Sequence, residues 1–271
     1  KPSKTHNSSG LNSVDPQTIF SSRFHLAHLY YITKKYSEAI PLLLANTNAT
    51  ESPSKELEVL RQNSRYLLGL VYKQNNKLDD ALKMMEDYLN NSHHQSNDLS
   101  YETKFEIALI YFLKGDLSKA AHLFESLQLE PTSRLSLFRQ LYLARILIAE
   151  KNNSKAISLL KTLSSQIDQD NELNYELSFL LGEANFRLHA FSVAAKHFEQ
   201  AIPKHFPETY SWYGEVLYFL GWSFLNLAET PGLDSETKIL SLKKSEDTFL
   251  NLLAHKPQER AYLALGQTYL A

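Results

Sequence analysis

The feature that most constrains this chain is a registered series of small residues. A polar turn followed by an apolar run with alanine at a fixed place occurs in "KKYSEAIPLL" from Lys34, "NKLDDALKMM" from Asn76, "GDLSKAAHLF" from Gly115, "NNSKAISLL" from Asn152 and "HAFSVAAKHF" from His189. Upstream of each turn stands a second apolar run: "LAHLYYI", "LGLVYKQ", "IALIYFL", "LARILIA" and "LGEANFR". Two helices therefore alternate along the chain. A periodic pattern of this length marks a solenoid, in which each hairpin buries its apolar face by stacking on the next. One alanine pair would mean little. Registered alanines mean that helix backbones cross closely at the same place in successive hairpins.

Composition agrees with helices. The 271 residues are 43% hydrophobic and contain only 8 Gly and 9 Pro, few for a sheet-rich or loop-rich protein. A net charge of −2 gives no bulk electrostatic drive toward nucleic acid or an anionic membrane. No apolar run approaches the roughly 20 residues that cross a bilayer, so no membrane insertion is expected within this segment. The polar opening "KPSKTHNSSGLNSV" lacks a signal-peptide core, and residues 1–14 are expected to be a disordered leader. A start at Lys1 and an abrupt stop after "ALGQTYLA" suggest a piece of something longer. Without cysteine, disulfides and thiolate chemistry are excluded and the redox compartment is left open.

The pattern resembles the tetratricopeptide repeat (TPR) family, whose unit of about 34 residues places small residues at positions 8 and 20 and aromatics at 11 and 24. Position 8 falls on Ala27, Gly69, Ala108, Ala144, Gly182, Gly221 and Gly266; position 11 on Tyr30, Tyr72, Tyr111, Leu147, Asn185, Phe224 and Tyr269. Position 20 falls on Ala39, Ala81, Ala120, Ala156 and Ala194, with Ser245 as the departure. The resemblance implies an all-α, right-handed superhelical solenoid of antiparallel helix hairpins over residues 15–271, with six hairpins and a solitary last helix A. Spacings of 42, 39, 36, 38 and 51 residues between the position-20 markers make these stretched repeats. In the sixth, "ETPGLDSETKILSL" is expected to end helix A at Pro231 and Gly232 and to cap a lengthened helix B with Asp234 or Ser235. The stretch ending at Phe206-Pro207 resembles a longer-repeat subgroup common in bacterial envelope-assembly proteins, which leaves localisation open between cytoplasm and bacterial envelope.

Signals for chemistry are sparse. His25 and His28 have the i, i+3 spacing that can place two metal ligands together, but no third ligand lies near in sequence, and His93-His94 sits in a polar stretch. Asp79-Asp80, Asp168 and Asp170 stand at helix starts or in loops, where carboxylates cap helices. No phosphate loop, nucleophile elbow or His-Glu-x-x-His pattern occurs. The expected function is therefore a non-catalytic protein-interaction scaffold without a cofactor. An envelope-assembly or secretion factor handling an exported protein is the alternative, and a helical-solenoid hydrolase is a more distant one.

The resemblance also implies a concave groove lined by helix A at positions 2, 5, 6, 9, 12 and 13. Here the expected lining is Phe24, His28 and Tyr31; Tyr66 and Lys73; Phe105, Glu106 and Phe112; Tyr142 and Arg145; Phe179, Glu183 and Phe186; Tyr218, Phe219 and Trp222. The clamp that holds the carboxylate tail of heat-shock chaperones needs Lys and Asn where Phe24 and His28 stand, Asn at Leu67, and Lys and Arg at Glu102 and Glu106. The aromatic lining instead favours an apolar or amphipathic protein partner. Tyr262, Leu265 and Tyr269 on the last helix are expected to be exposed, so that the chain either continues or self-associates end to end.

Overall fold

The structure, a computed structural model, describes residues 15–49, 54–91, 97–167, 173–204 and 212–271. The expected leader, His93-His94, Asp168, Asp170 and Phe206-Pro207 lie outside the described residues. Thirteen α-helices make up the described chain: α1 (Pro16–Ile32), α2 (Tyr36–Thr47), α3 (Lys55–Gln74), α4 (Leu78–Asn91), α5 (Asn97–Leu113), α6 (Leu117–Ser126), α7 (Arg134–Ala149), α8 (Asn153–Ser164), α9 (Leu173–Arg187), α10 (Phe191–Gln200), α11 (Tyr213–Ala228), α12 (Ser235–His255) and α13 (Glu259–Leu270). Odd-numbered helices are the A helices and even-numbered ones the B helices of antiparallel hairpins, the architecture the register predicts. Two compact units are formed, residues 1–128 with α1–α6 and residues 129–271 with α7–α13.

Each hairpin closes on one contact rule. Every residue at position 20, from Ala39 to Ser245, is fully buried, and so is every residue four positions later: Leu43, Met85, Phe124, Leu160, Phe198 and Phe249. In three hairpins the large residue lies directly on a glycine of helix A. A Cβ added to Gly69 would stand 2.8 Å from Met85, and one added to Gly182 or Gly221 would stand 2.6 Å from the ring of Phe198 or Phe249. A ring seated against bare backbone gains dispersion contacts on its whole face. Ser245 fits where the other hairpins have alanine because its hydroxyl donates to the Gly221 carbonyl (3.0 Å) and lies 3.0 Å from the Thr268 hydroxyl of α13. A second buried polar tie is made by Asn46 of α2, whose amide donates to the Phe20 carbonyl of α1 (2.9 Å) and to the Ser64 hydroxyl of α3 (3.2 Å).

The turns between A and B are equally regular. Lys34, Asn76, Gly115, Lys151 and His189 all have φ between 56° and 82° and all stand five residues before the position-20 alanine. In each, the next amide donates to the carbonyl five residues back, at position 11: Lys35 to Tyr30, Lys77 to Tyr72, Asp116 to Tyr111, Asn152 to Leu147 and Ala190 to Asn185, at 2.8–3.0 Å. This is the left-handed helix stop that glycine adopts most readily. Only one of the five sites has glycine, so the others accept left-handed strain to hold the hairpin. In the sixth hairpin α11 ends at Ala228, and Pro231 and Gly232 follow in the loop. The Asp234 carboxylate caps α12 by accepting from the Thr237 amide at 2.9 Å. That helix begins ten residues before Ser245, where the other B helices begin three residues before their alanine. The insertion therefore becomes about two additional helical turns.

Two outcomes follow from these contacts. Gly182→Ala and Gly221→Ala should each destabilise: overpacking of about 1–3 kcal/mol outweighs a helix-propensity gain of about 1 kcal/mol. Gly69→Ala should cost less, because a methionine side chain yields more easily than a phenylalanine ring. Conversely, Lys34→Gly and Lys151→Gly should each stabilise by about 0.5–1 kcal/mol, as relief of left-handed strain exceeds the added chain entropy. Urea unfolding followed by circular dichroism measures both sets, and a neutral Gly182→Ala would contradict the seated-ring geometry.

Candidate functional site

In the first unit the A helices bring together residues far apart in sequence. Lys73 of α3 forms an ion pair with Glu106 of α5, and both side chains are largely buried, at 10% and 18% exposure. Half-buried Tyr31 of α1 and Tyr66 of α3 stand in the field of this pair. Burial first, then the Glu106 charge, pushes both phenols above their ordinary range; Glu102 adds to the effect at Tyr66. The Tyr31 hydroxyl also hydrogen-bonds Gln74, and the Tyr66 ring packs against Tyr88 at 5.7 Å. Both phenols therefore stay protonated at neutral pH and can donate or accept hydrogen bonds. Four of the expected lining residues are thus assembled around one neutralised charge pair.

Other residues of the first unit divide between surface and core. His28 is exposed and stacks on Phe24 at 6.4 Å, and His25 meets the edge of the same ring at 5.7 Å. The two histidines are thus used against an aromatic ring, and no group of three metal-ligating side chains occurs among the described residues. Phe105 departs from the expected lining: it is 7% exposed and packs edge-on against Phe124 at 5.2 Å. Its side chain turns toward helix B, and it is a core residue. Phe112 is half-buried.

In the second unit the aromatics form two groups. Phe219 of α11 is a hub: Phe179 and Phe186 of α9 meet it at 6.2 and 5.6 Å, and Phe198 of α10 stacks on it at 5.7 Å. Phe186 further packs on Phe191, the first residue of α10, at 5.5 Å. These rings hold successive repeats together, which explains much of the aromatic wealth of the predicted lining. The second group is Tyr218 and Trp222 of α11, packed on each other and both on Phe249 at 6.2–6.4 Å. Arg260 of α13 lies 4.3 Å from the Tyr218 ring centre and pairs with Glu215, a cation–π arrangement. The indole N–H of Trp222 is buried and meets no acceptor among the described residues.

The basic residues of the lining are neutralised as Lys73 is. Arg145 of α7 binds Glu176 of α9 through two hydrogen bonds of 3.2 and 2.9 Å and lies 6.0 Å from the Tyr142 ring centre. Glu183 is held by Arg187 one turn on, at 2.7 Å. Glu176, Glu215 and Arg260 were absent from the expected lining. All three stand at position 2 of their helix A, so the register itself contained the signal.

The last helix also differs from expectation. Leu265 is half-buried in the cluster around Phe249, Leu252, Ala261 and Ala264. Tyr262 and Tyr269 are exposed as expected, and the exposed leucines of α13 are Leu263 and Leu270. Among the described residues no helix is long and apolar enough to cross a membrane.

Residues 66–133 match the tetratricopeptide repeat family, and no curated protein sequence matches the chain. Among solved structures, the C-terminal part of a TPR repeat-containing protein from Cytophaga hutchinsonii is similar over 92% of this chain and 93% of its own, at 16% identity and a TM-score of 0.53. Kinesin-light-chain-type TPR-like repeats from Podosopora anserina cover 69% of this chain and 94% of their own, at 20% identity and a TM-score of 0.53. A thermophilic TPR protein of Thermus thermophilus covers 78% of this chain and 100% of its own, at 15% identity and a TM-score of 0.52. With these fold likenesses and the registered hairpins, the chain has the tetratricopeptide-repeat fold, and residues 66–133 are a tetratricopeptide-repeat segment.

Proposed function

We propose that this protein is a non-catalytic interaction scaffold whose A-helix faces bind an apolar or amphipathic segment of a protein partner. The observation that carries this reading is the Lys73–Glu106 pair beside Tyr31 and Tyr66. A basic groove built for an acidic peptide presents uncompensated cations. Here Lys73, Arg145 and Arg260 are each matched by a carboxylate from another A helix. An acidic partner would have to displace those carboxylates, and at the largely buried Lys73–Glu106 pair that would leave a buried charge unpaired at a cost of several kcal/mol. Half-buried phenols such as Tyr31 and Tyr66, which keep their protons at neutral pH, suit a segment that offers apolar side chains and backbone carbonyls. Tyr and Trp are the residues that anchor such contacts.

Peptide display selected on the whole protein tests this reading. Selected peptides should be rich in aliphatic and aromatic residues and close to neutral. Tyr31→Ala, or Trp222→Leu for peptides that settle on the second unit, should weaken binding by about 1–2 kcal/mol. Glu125→Ala and Lys196→Ala, on exposed B-helix surfaces, should leave affinity unchanged. Selection of acidic peptides, or equal loss from the B-helix substitutions, would sink the proposal.

A further inference from the structure

We propose that Glu102 of α5, beside Tyr66 of α3, is where the bound segment of the partner inserts an arginine side chain. This rests on the apolar-segment reading above and adds one fixed charge to it. The second unit contains the corresponding arrangement twice. Arg145 of α7 binds Glu176, at position 2 of α9, through hydrogen bonds of 3.2 and 2.9 Å and lies 6.0 Å from the Tyr142 ring centre. Arg260 of α13 pairs with Glu215, at position 2 of α11, and lies 4.3 Å from the Tyr218 ring centre. Each guanidinium is shared between a position-2 carboxylate and an aromatic ring of the A helices, where charge pairing and cation–π attraction act together.

The first unit has the carboxylate and the ring but not the arginine. Glu102 stands at position 2 of α5 and Tyr66 at position 5 of α3, the register of Arg260 relative to Tyr218. The Glu102 charge reaches both members of the Tyr66–Tyr88 pair, whose ring centres lie 5.7 Å apart. Burial and then Glu102 raise the Tyr88 phenol, and burial, Glu106 and then Glu102 raise that of Tyr66. Position 9 of the preceding A helix, an arginine in α7, is the half-buried Leu70 in α3. The neighbouring cations are engaged elsewhere: Arg61 and Arg65 with Glu58, Lys73 with Glu106, and Lys104 over the Tyr101 ring. Glu106, Glu176, Glu183 and Glu215, the other carboxylates at groove positions of the A helices, each have an ion pair, whereas exposed Glu102 has none among the described residues. One uncompensated negative charge therefore borders a tyrosine-lined surface. Lysine would satisfy the charge, but a planar guanidinium also stacks on the phenol ring while its fork of donors serves the carboxylate.

Parallel selections from one random peptide library, on the whole protein and on its Glu102→Gln variant, test the assignment. Peptides selected on the unsubstituted protein should be apolar and share an arginine at one fixed place. Those selected on Glu102→Gln should stay apolar and lose that arginine. For the leading arginine peptide, fluorescence polarisation should show about a five- to tenfold loss of affinity on Glu102→Gln. Replacing its arginine by alanine should cost about as much, and combining the two changes should cost no more. Leu70→Arg, which rebuilds the Arg145–Glu176 pair within the first unit, should weaken the arginine peptide and spare its alanine version. Because Glu102 is exposed, Glu102→Gln should melt at the parent temperature. Apolar peptides with no preferred arginine, or an arginine whose contribution survives both Glu102→Gln and Leu70→Arg, would overturn the assignment while leaving the apolar-segment reading in place. Acidic peptides, or none at all, would remove both.

Discussion

The structure depends on one arrangement repeated six times, a large side chain of helix B buried one turn after a small residue, and in three hairpins that side chain is seated on a glycine of helix A. Where glycine stands at that place the seated group touches backbone, as Phe198 does on Gly182 and Phe249 on Gly221. Van der Waals attraction falls steeply with separation, so the gain exists only while the helices remain close. Closeness is possible only if position 20 stays small, and all six residues there are fully buried. The two requirements are mutually dependent, and together they fix hairpin geometry more tightly than general apolarity would. Ser245 shows how much variation the crossing accepts: one oxygen more than alanine, provided a carbonyl receives its hydrogen.

The same geometry explains why aromatic content is an ambiguous guide to the binding face. In a stack of hairpins a side chain on helix A can turn toward its own helix B, toward the next helix A, or outward. Phe105 takes the first course against Phe124, and Phe179 and Phe186 take the second against Phe219. Tyr31, Tyr66, Tyr218 and Trp222 combine packing with a polar group and stay half-exposed. The charges follow a parallel logic. Lys73, Arg145 and Arg260 each reach a carboxylate on a different A helix, so these ions tie repeats together and leave the surface between them close to neutral. Such pairs add little net stability on their own; their consequence is that none of these three cations is left uncompensated.

Much of the fold was legible in the sequence because close helix crossing demands small residues, and small residues at a fixed register are visible without coordinates. Positions 8 and 20, the hairpin order, the Asp234 cap and the lengthened α12 all derive from that demand or from capping chemistry. The left-handed turn residues were not legible. Lys34 and Lys151 have no intrinsic preference for positive φ, and His189 only a modest one; they adopt it because the hairpin closes around them. A sequence reader expects glycine there and finds it only at Gly115.

The candidate sites divide in the same way. The sequence by itself determined which helix positions could face a groove, and Tyr31, Tyr66, Lys73 and Glu106 come from that register. Tertiary structure decided which of those positions are used for packing, because burial depends on neighbours that are distant along the chain. It buried Phe105, paired Arg145 with Glu176, and placed Leu265 inward while leaving Leu263 and Leu270 exposed. The glycines at position 8, covered by Met85, Phe198 and Phe249, are the clearest case. The residue type was predictable from the repeat, but whether anything sits on it is a property of the surrounding helices, and only their arrangement in three dimensions could reveal it.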